Sequence, residues 1–338
     1  MPLLPDQEAL ELAVSSETKP ADGDRIVQAW RRDEPHAPYQ PLPAAGQEQI
    51  ILSFDVEEHY RIEAAAHLNV DSGLKDHYGH RLEVSTHWVL DELARRDIKA
   101  TFFVVGQIAR SSPGLLRAIH RQGHEIASHS WDHQRLHNLS PDTFREDVRK
   151  SKEALEQLTG EEVVGYRAPT FSIVRQTGWA IDILAELGMH YDSSIFPVWH
   201  DRYGIPSAPR VPFIAQGGGN SILEFPPATM RLLRTNFPVG GGGYFRLLPL
   251  FFMRYALRQL RGSTPPVAML YFHPWEFDPD QARLPLRRLS SFRTYVGLGN
   301  SREKLTQLLS TRTFATARAV AESLRNRSSS LLNYRIPL

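Results

Sequence analysis

Short, mostly apolar runs recur along the chain, and each stops at a polar cluster. QIILSF (49–54), ATFFVVG (100–106), HEIASH (124–129), VVGYRAP (163–169), MHYDSS (189–194), SILEFPPAT (221–229) and PVAMLYFH (266–273) fit buried strands. Stretches of helical period lie between them. STHWVLDELARRD (85–97) sets Trp88, Val89, Leu93 and Ala94 on one face. SSPGLLRAIHRQG (111–123) begins with Ser112 as N-cap and Pro113 in the first turn, and stops at Gly123. SPDTFREDVRKSKEALEQLTG (140–160) opens at Ser140 and Pro141 and closes at Gly160. GWAIDILAELG (178–188) and residues 247–260 complete the predicted helices.

Strands alternating with helices predict an α/β fold with a parallel sheet. The clusters DVEEH, SHSWDH, RAPTF, DSS and HPWEF all follow strands. In a parallel barrel such residues gather at one mouth and build the active site. Residues 1–47 are rich in proline, charge and alanine with weak periodicity, and read as a poorly ordered extension with one short helix near Asp6 to Val14. Residues 48–338 read as one catalytic domain that ends in a helical segment.

Composition narrows the function classes. The 338 residues are 41% hydrophobic and 23% charged, with a formal net charge of +1, which gives no electrostatic case for a nucleic-acid partner. With no cysteine, disulfides and thiolate chemistry are excluded, and a transition-metal site must use His, Asp or Glu. No basic segment leads into a long apolar core at the N-terminus, and no uncharged run is long enough to span a bilayer, so a cytoplasmic location is expected. The glycine run at 240–243 lacks a following Lys-Ser/Thr and reads as a flexible turn, with Tyr244 and Phe245 available to stack on a sugar. Trp131, Trp199 and Trp275 are further aromatic platforms, although packing is the commoner role.

GHEIASHSWDHQRL (123–136) holds His124, His129 and His133, with Asp132 beside the last. In a helix or tight turn, the four-residue spacing of His129 and His133 points both rings to one side, where two imidazoles can grip one cation. After the strand at 49–54, a continuing pleat sets Asp55 and Glu57 on one face and Val56 on the other. His124 lies inside a strand and reads as structural, while Ser130 and Asp132 read as turn or supporting residues.

In order, SFDVEE, SHSWDH, YRAPTF, YDSSIF and LYFH resemble the five motifs of the polysaccharide deacetylases, metal-dependent sugar N-deacetylases with the chitooligosaccharide-deacetylase homology domain, a distorted (β/α) barrel. The resemblance covers residues 48–280, and DSSIFPVWHDRYGIP, FPVGGGGYFRLLP and YFHPWEFDPDQ resemble the branch associated with exosortase and bacterial exopolysaccharide clusters. It implies Asp55 as general base, His129 and His133 as metal ligands, and Arg167 as the cation that holds Asp55. It further implies His273 as the general acid, Leu270 in the acetyl pocket, and backbone amides of APTF at the oxyanion. Asp192 resembles the fourth-motif acid, which supports either the arginine or the histidine. The family's second adjacent aspartate, a ligand, is replaced by Val56; Glu57 is favoured in its stead, with Glu58 the other candidate. The implied cofactor is a divalent metal, zinc first, with cobalt, nickel or manganese able to substitute.

The reading that results is hydrolytic removal of N-acetyl groups from an amino sugar in a bacterial exopolysaccharide or its precursor, with an N-acetylated carbohydrate as partner. Two alternatives stand beside it. One is an amidohydrolase of a small cyclic amide or ureide on the same barrel. The other is an inactive carbohydrate-binding homologue, for which Val56 is the best support.

Overall fold

β1 (Gln49–Val56) is buried on both faces along its whole length, as a strand inside a covered parallel sheet must be. A computed structural model describes residues 48–325 and 330–337, so the expected N-terminal extension and its short helix lie outside the described residues. β2 (Thr101–Val104), β3 (Glu125–Ser128), β4 (Gly165–Tyr166) and β5 (Tyr191–Asp192) follow β1 side by side in parallel. β6 (Phe213–Gln216) and β7 (Ser221–Glu224) form an antiparallel pair that joins β5 through β7. β8 (Thr229–Leu232) and β9 (Thr235–Pro238) leave the sheet as a separate two-stranded ribbon. β10 (Val267–Phe272) returns to pair with β1, and β11 (Leu332–Arg335) pairs with β6. The sheet order is β10-β1-β2-β3-β4-β5-β7-β6-β11, a curled half-barrel left open between its two edge strands.

The helices are α1 (Ser72–Ala94), α2 (Ile108–Ser111), α3 (Pro113–Arg121), α4 (Pro141–Thr159), α5 (Ala180–Glu186), α6 (Gly242–Leu247), α7 (Leu250–Leu260), α8 (Arg288–Tyr295), α9 (Ser301–Leu309) and α10 (Ala317–Arg325). Ile50, Leu52, Phe54 and Val56 of β1 pack in one buried cluster with Leu90 and Leu93 of α1 and Leu305 and Leu308 of α9. The other face of β1 carries Ser53 and Asp55 inward, toward the concave side. None of the helices is long and apolar enough to cross a membrane among the described residues.

Several elements differ from the sequence expectation. α1 starts thirteen residues before Ser85, at Ser72, with Asp71 accepting from the Leu74 amide at 2.9 Å. Its first half buries only Tyr78 and Leu82, too few apolar positions to show a period. Ser112 stands before α3 but makes no side-chain cap, whereas Ser140 opens α4 as expected, in a capping box with Thr143, and Gly160 closes it at φ 73°. The expected strand 221–229 is two strands in two sheets, broken by Pro226 and Pro227. The expected helix over 247–260 begins only after Pro249, as α7, and α6 precedes it over a segment expected to be a turn. β6 and β11, each only four residues long, were not anticipated.

The glycine run is not a flexible turn. Gly240 accepts from the Tyr271 amide at 2.9 Å, and a Cβ on Gly241 would lie 1.6 Å from the Tyr271 carbonyl oxygen. Together with Ala228, whose amide donates to Met269 at 2.9 Å, it covers the outer edge of β10. Phe245 is buried in the core rather than presented to a ligand.

Candidate active site

Parallel strands bring their C-terminal ends to one mouth, and there a cavity of about 250 Å³ is lined by Asp55, Glu57, His129, His133, Arg167 and His273 among others. β1 delivers Asp55 and Glu57 inward by strand alternation and turns Val56 into the helix-side core, so Val56 never faces the cavity.

His129 and His133 follow β3 in a tight turn, not a helix. Ser130 and His133 adopt left-handed φ values of 67° and 65°. The Ser130 hydroxyl accepts from the His133 amide at 3.0 Å, and Asp147 accepts from the Trp131 amide at 2.9 Å. The two rings meet with centroids 5.0 Å apart, and His133 Nε2 touches Glu57 Oε2. One ligand atom each from Glu57, His129 and His133 lies within 4.8 Å of the others. His129 Nδ1 donates to the Arg167 carbonyl at 2.8 Å, because a carbonyl can only accept, which leaves Nε2 with its lone pair toward Glu57. Burial lowers the His129 pKa to about 4, so the ring is neutral at neutral pH. Burial alone would raise the Glu57 carboxyl, but His133, His273 and His129 together hold it well below the usual carboxylate range.

This donor set fits a divalent cation. Glu57 Oε2 is buried and accepts no hydrogen bond among the described residues, and two neutral-capable imidazoles with one carboxylate make an open, catalytic type of site. Glu58 is committed elsewhere: Oε2 accepts from Arg61 Nε at 2.5 Å, and Arg61 in turn binds the Asp132 carbonyl and Gln107.

Arg167 is fully buried and spends its fork on the site's frame. Nη1 donates to Asp55 Oδ1 at 2.5 Å and to Ser53 Oγ at 2.9 Å; Nη2 and Nε reach Ser193 Oγ and the Ser193 carbonyl at 2.9 and 3.2 Å. Its guanidinium sits 4.0 Å from the Phe103 ring centroid. Asp55 Oδ2 is left facing His273 Nε2 at 3.8 Å.

His273 is oriented by two residues that sequence reasoning passed over. Its Nδ1 pairs with Glu276 Oε1 at 2.8 Å, and Glu276 Oε2 accepts from Arg246 Nε at 2.7 Å. Burial would depress the imidazole, but the Glu276 hydrogen bond and the carboxylates of Glu57, Glu276 and Asp55 raise its pKa to about 9. The i, i+3 spacing of His273 and Glu276 directly after a strand was the available signal for Glu276; Arg246 gave none.

Asp192 does not line the cavity. Its Oδ1 accepts from Ser194 Oγ at 2.5 Å, and its strand partner is Glu224, which accepts the Ser194 and Ile195 amides at 3.0 and 2.9 Å. Burial pushes Asp192 up to about 6. It braces the Ser193–Ser194 loop, and it is Ser193 that holds Arg167. In APTF, the Ala168 amide donates to Ser194 Oγ and the Phe171 amide to the Ala168 carbonyl, and Pro169 has no N–H. Only the Thr170 amide is without a partner in this loop among the described residues. Leu270 is fully buried on the helix side with Phe272 and does not reach the cavity. Trp275 lines the cavity, stacked on His273 at 5.4 Å, with its indole nitrogen unpartnered among the described residues. Trp131 lies outside the cavity under Arg110 and Lys150, and Trp199 is 81% exposed.

Comparison with known proteins agrees with this architecture. Residues 62–191 match the polysaccharide deacetylase family model, and residues 193–322 match a domain of unknown function, DUF3473. The chain is 35% identical over 98 residues to a peptidoglycan-N-acetylglucosamine deacetylase of Listeria monocytogenes, a match covering 29% of this chain and 21% of that one. It spans less than half the length of the curated relatives it matches. A solved structure assigned to the polysaccharide deacetylases, from Mycobacterium smegmatis, aligns over 88% of this chain and 96% of its own with a TM-score of 0.59 at 23% identity. PuuE allantoinase shares the fold with a TM-score of 0.58 at 16% identity, over 86% of this chain and 94% of its own. Residues 62–191 thus match the polysaccharide deacetylase family, and most of the chain shares the fold of the solved structures.

Proposed function

We propose that this chain is a metal-dependent N-deacetylase acting on an amino sugar of a bacterial exopolysaccharide or its precursor. The observation that carries the reading is the convergence, in one cavity, of the Glu57–His129–His133 donor set with Asp55 and His273. The branch-like signatures over residues 192–206 and 237–249 support the exopolysaccharide class of substrate.

Glu57, His129 and His133 would hold the cation, zinc first. When bound, it supplies a Lewis acid for the acetyl carbonyl and acidifies water at that position. Asp55 is the base: Arg167 fixes Oδ1, so Oδ2 is the atom that takes the proton from attacking water. His273, charged at neutral pH and aligned by Glu276, gives its Nε2 proton to the departing sugar amine. The Thr170 amide would help at the developing oxyanion; Thr170 lines the cavity, and its amide has no partner among the described residues.

The test is acetate release from a panel of N-acetylated glucosamine oligomers and bacterial exopolysaccharides, after chelation and after zinc is returned. Zinc-dependent release that is lost in Asp55→Asn supports the reading. Ring opening of allantoin without acetate release would replace it with the ureide alternative. Saccharide binding without release of either kind would leave the inactive homologue.

A further inference from the structure

From Phe225 to Trp275 the chain contains no aspartate or glutamate and six arginines. The same stretch exposes large apolar side chains on two elements that pack together. In the ribbon, Leu232 is 48% exposed, Leu233 90% and Phe237 43%; on α7, Phe251 is 63% exposed and Tyr255 40%. The register pairs Met230 with Phe237, so Met230, Leu232 and Phe237 share one face of the ribbon. Met230 packs with Ala256 and Phe252, and Gln259 clasps both the amide and the carbonyl of Arg231 at 2.8 Å. Large apolar groups are therefore exposed on two elements that pack against each other, as at interaction surfaces.

The ribbon tip is built against its own folding interest. Leu232 pairs with Thr235, leaving a two-residue loop in which Leu233 has φ 47° and Arg234 φ 68°. Such a turn favours Asn-Gly, and left-handed φ values on Leu and Arg cost stability. The outcome is a hairpin tip that carries Leu233, 90% exposed, next to Arg234 in the chain. Arg261 is paired with Glu48, and Arg246 is buried on Glu276. Arg234, Arg254 and Arg258 make no ion pair among the described residues. Gly242, Gly243 and Arg246, which line the cavity, lie between the ribbon and α7 in the chain.

We propose that this face docks the protein on an anionic bilayer surface, with Leu233, Leu232 and Phe251 entering the headgroup region and Arg234, Arg254 and Arg258 meeting lipid phosphates. Apolar tips with unpaired arginines and no acids fit an anionic interface, where area burial and charge attraction add. A hairpin tip with a 90% exposed leucine suits insertion into an interface. The inference does not depend on the deacetylase reading, since it invokes none of the residues assigned to that chemistry.

The experiment is vesicle flotation of the full chain with phosphatidylcholine alone and with equal parts phosphatidylcholine and phosphatidylglycerol. The parent floats with the anionic vesicles and much less with the neutral ones, and raised salt releases it. Leu233→Ser/Phe251→Ser loses flotation on both. Arg234→Gln and Arg258→Gln each weaken anionic binding by about fivefold, the scale of one arginine at a charged surface. Melting temperature and acetate release from a short soluble oligomer report that the variants are folded; if the double variant unfolds, Leu233→Ser alone carries the test. Equal flotation of parent and variants would overturn the proposal. So would absence of flotation together with a dimer that Leu233→Ser makes monomeric, since a second copy would then cover the face.

Discussion

Arg167 donates to Asp55 Oδ1 at 2.5 Å from a position with no exposure to solvent, and so fixes which carboxylate oxygen faces the cavity. The same guanidinium is held by Ser53 and Ser193, and the Arg167 carbonyl holds His129, so one residue positions both the proposed base and a proposed ligand. Arg167→Lys keeps a charge but cannot reproduce the fork. Its acetate-release rate is expected to fall by about 10²-fold or more, with a weaker metal affinity that titration of the purified variant detects. Asp55→Asn should lose about 10²-fold to 10⁴-fold in kcat while binding zinc as the parent does. Full activity in Asp55→Asn would remove Asp55 from the base role.

The donor set makes a sharp contrast between neighbours. Glu57→Gln, His129→Ala and His133→Ala should each lose stoichiometric zinc by elemental analysis, and activity with it. Glu58→Gln should retain zinc, because its partner is Arg61. Zinc loss in Glu58→Gln with retention in Glu57→Gln would reverse the assignment.

Glu276 sets the proton affinity of His273. With a pKa of about 9, His273 is in its acid form at neutral pH, and activity should fall as pH rises through that value. Glu276→Gln removes both the hydrogen bond and the negative charge, so the imidazole loses its proton more easily. The alkaline limb of kcat should move to lower pH, while the acid limb stays. An unmoved alkaline limb would show that another group supplies the proton.

His124, expected to be structural, is buried, accepts the Ala100 amide on Nδ1 at 3.2 Å and lies tilted against the Phe102 ring, with centroids 5.1 Å apart. Burial, with Lys99 adding, lowers its pKa from 6.5 to about 3. The unfolded chain therefore binds a proton that the native state refuses. The stability this represents is complete above pH 6.5 and is lost as pH falls toward 3, by about 1.4 kcal/mol per pH unit within the window. His124→Asn keeps an acceptor for Ala100 without titrating, so its melting temperature should fall less steeply between pH 6.5 and 4.5. His59 and His129, each depressed to about 4, keep the slope from vanishing. Parallel curves for parent and variant would show that His124 is not an acid-labile element.

The half-barrel and much of its mouth were legible because they follow from local rules. Apolar runs ending in polar clusters locate β1, β2, β3 and β10, and strand alternation alone puts Asp55 and Glu57 inward and Val56 outward. The spacing of His129 and His133 marks a shared ligand point, although the turn that realises it rests on Asp147 and two left-handed residues. What pairing across the fold decides is different in kind. Glu57 and Glu58 look alike in sequence, and only the distant Arg61, Asp132 and Gln107 take Glu58 away. Asp192 and Arg167 were expected to support one chemistry, yet the β5–β7 register gives Asp192 to Glu224 and leaves Ser193 to hold the arginine. Arg246 reaches Glu276 across thirty residues, and Gly241 is required by a carbonyl on β10. Periodicity reports which face of an element is buried, because burial is a property of one element's surface. Which polar group answers which depends on contacts between elements far apart in the chain, and those exist only once the sheet has closed around the site.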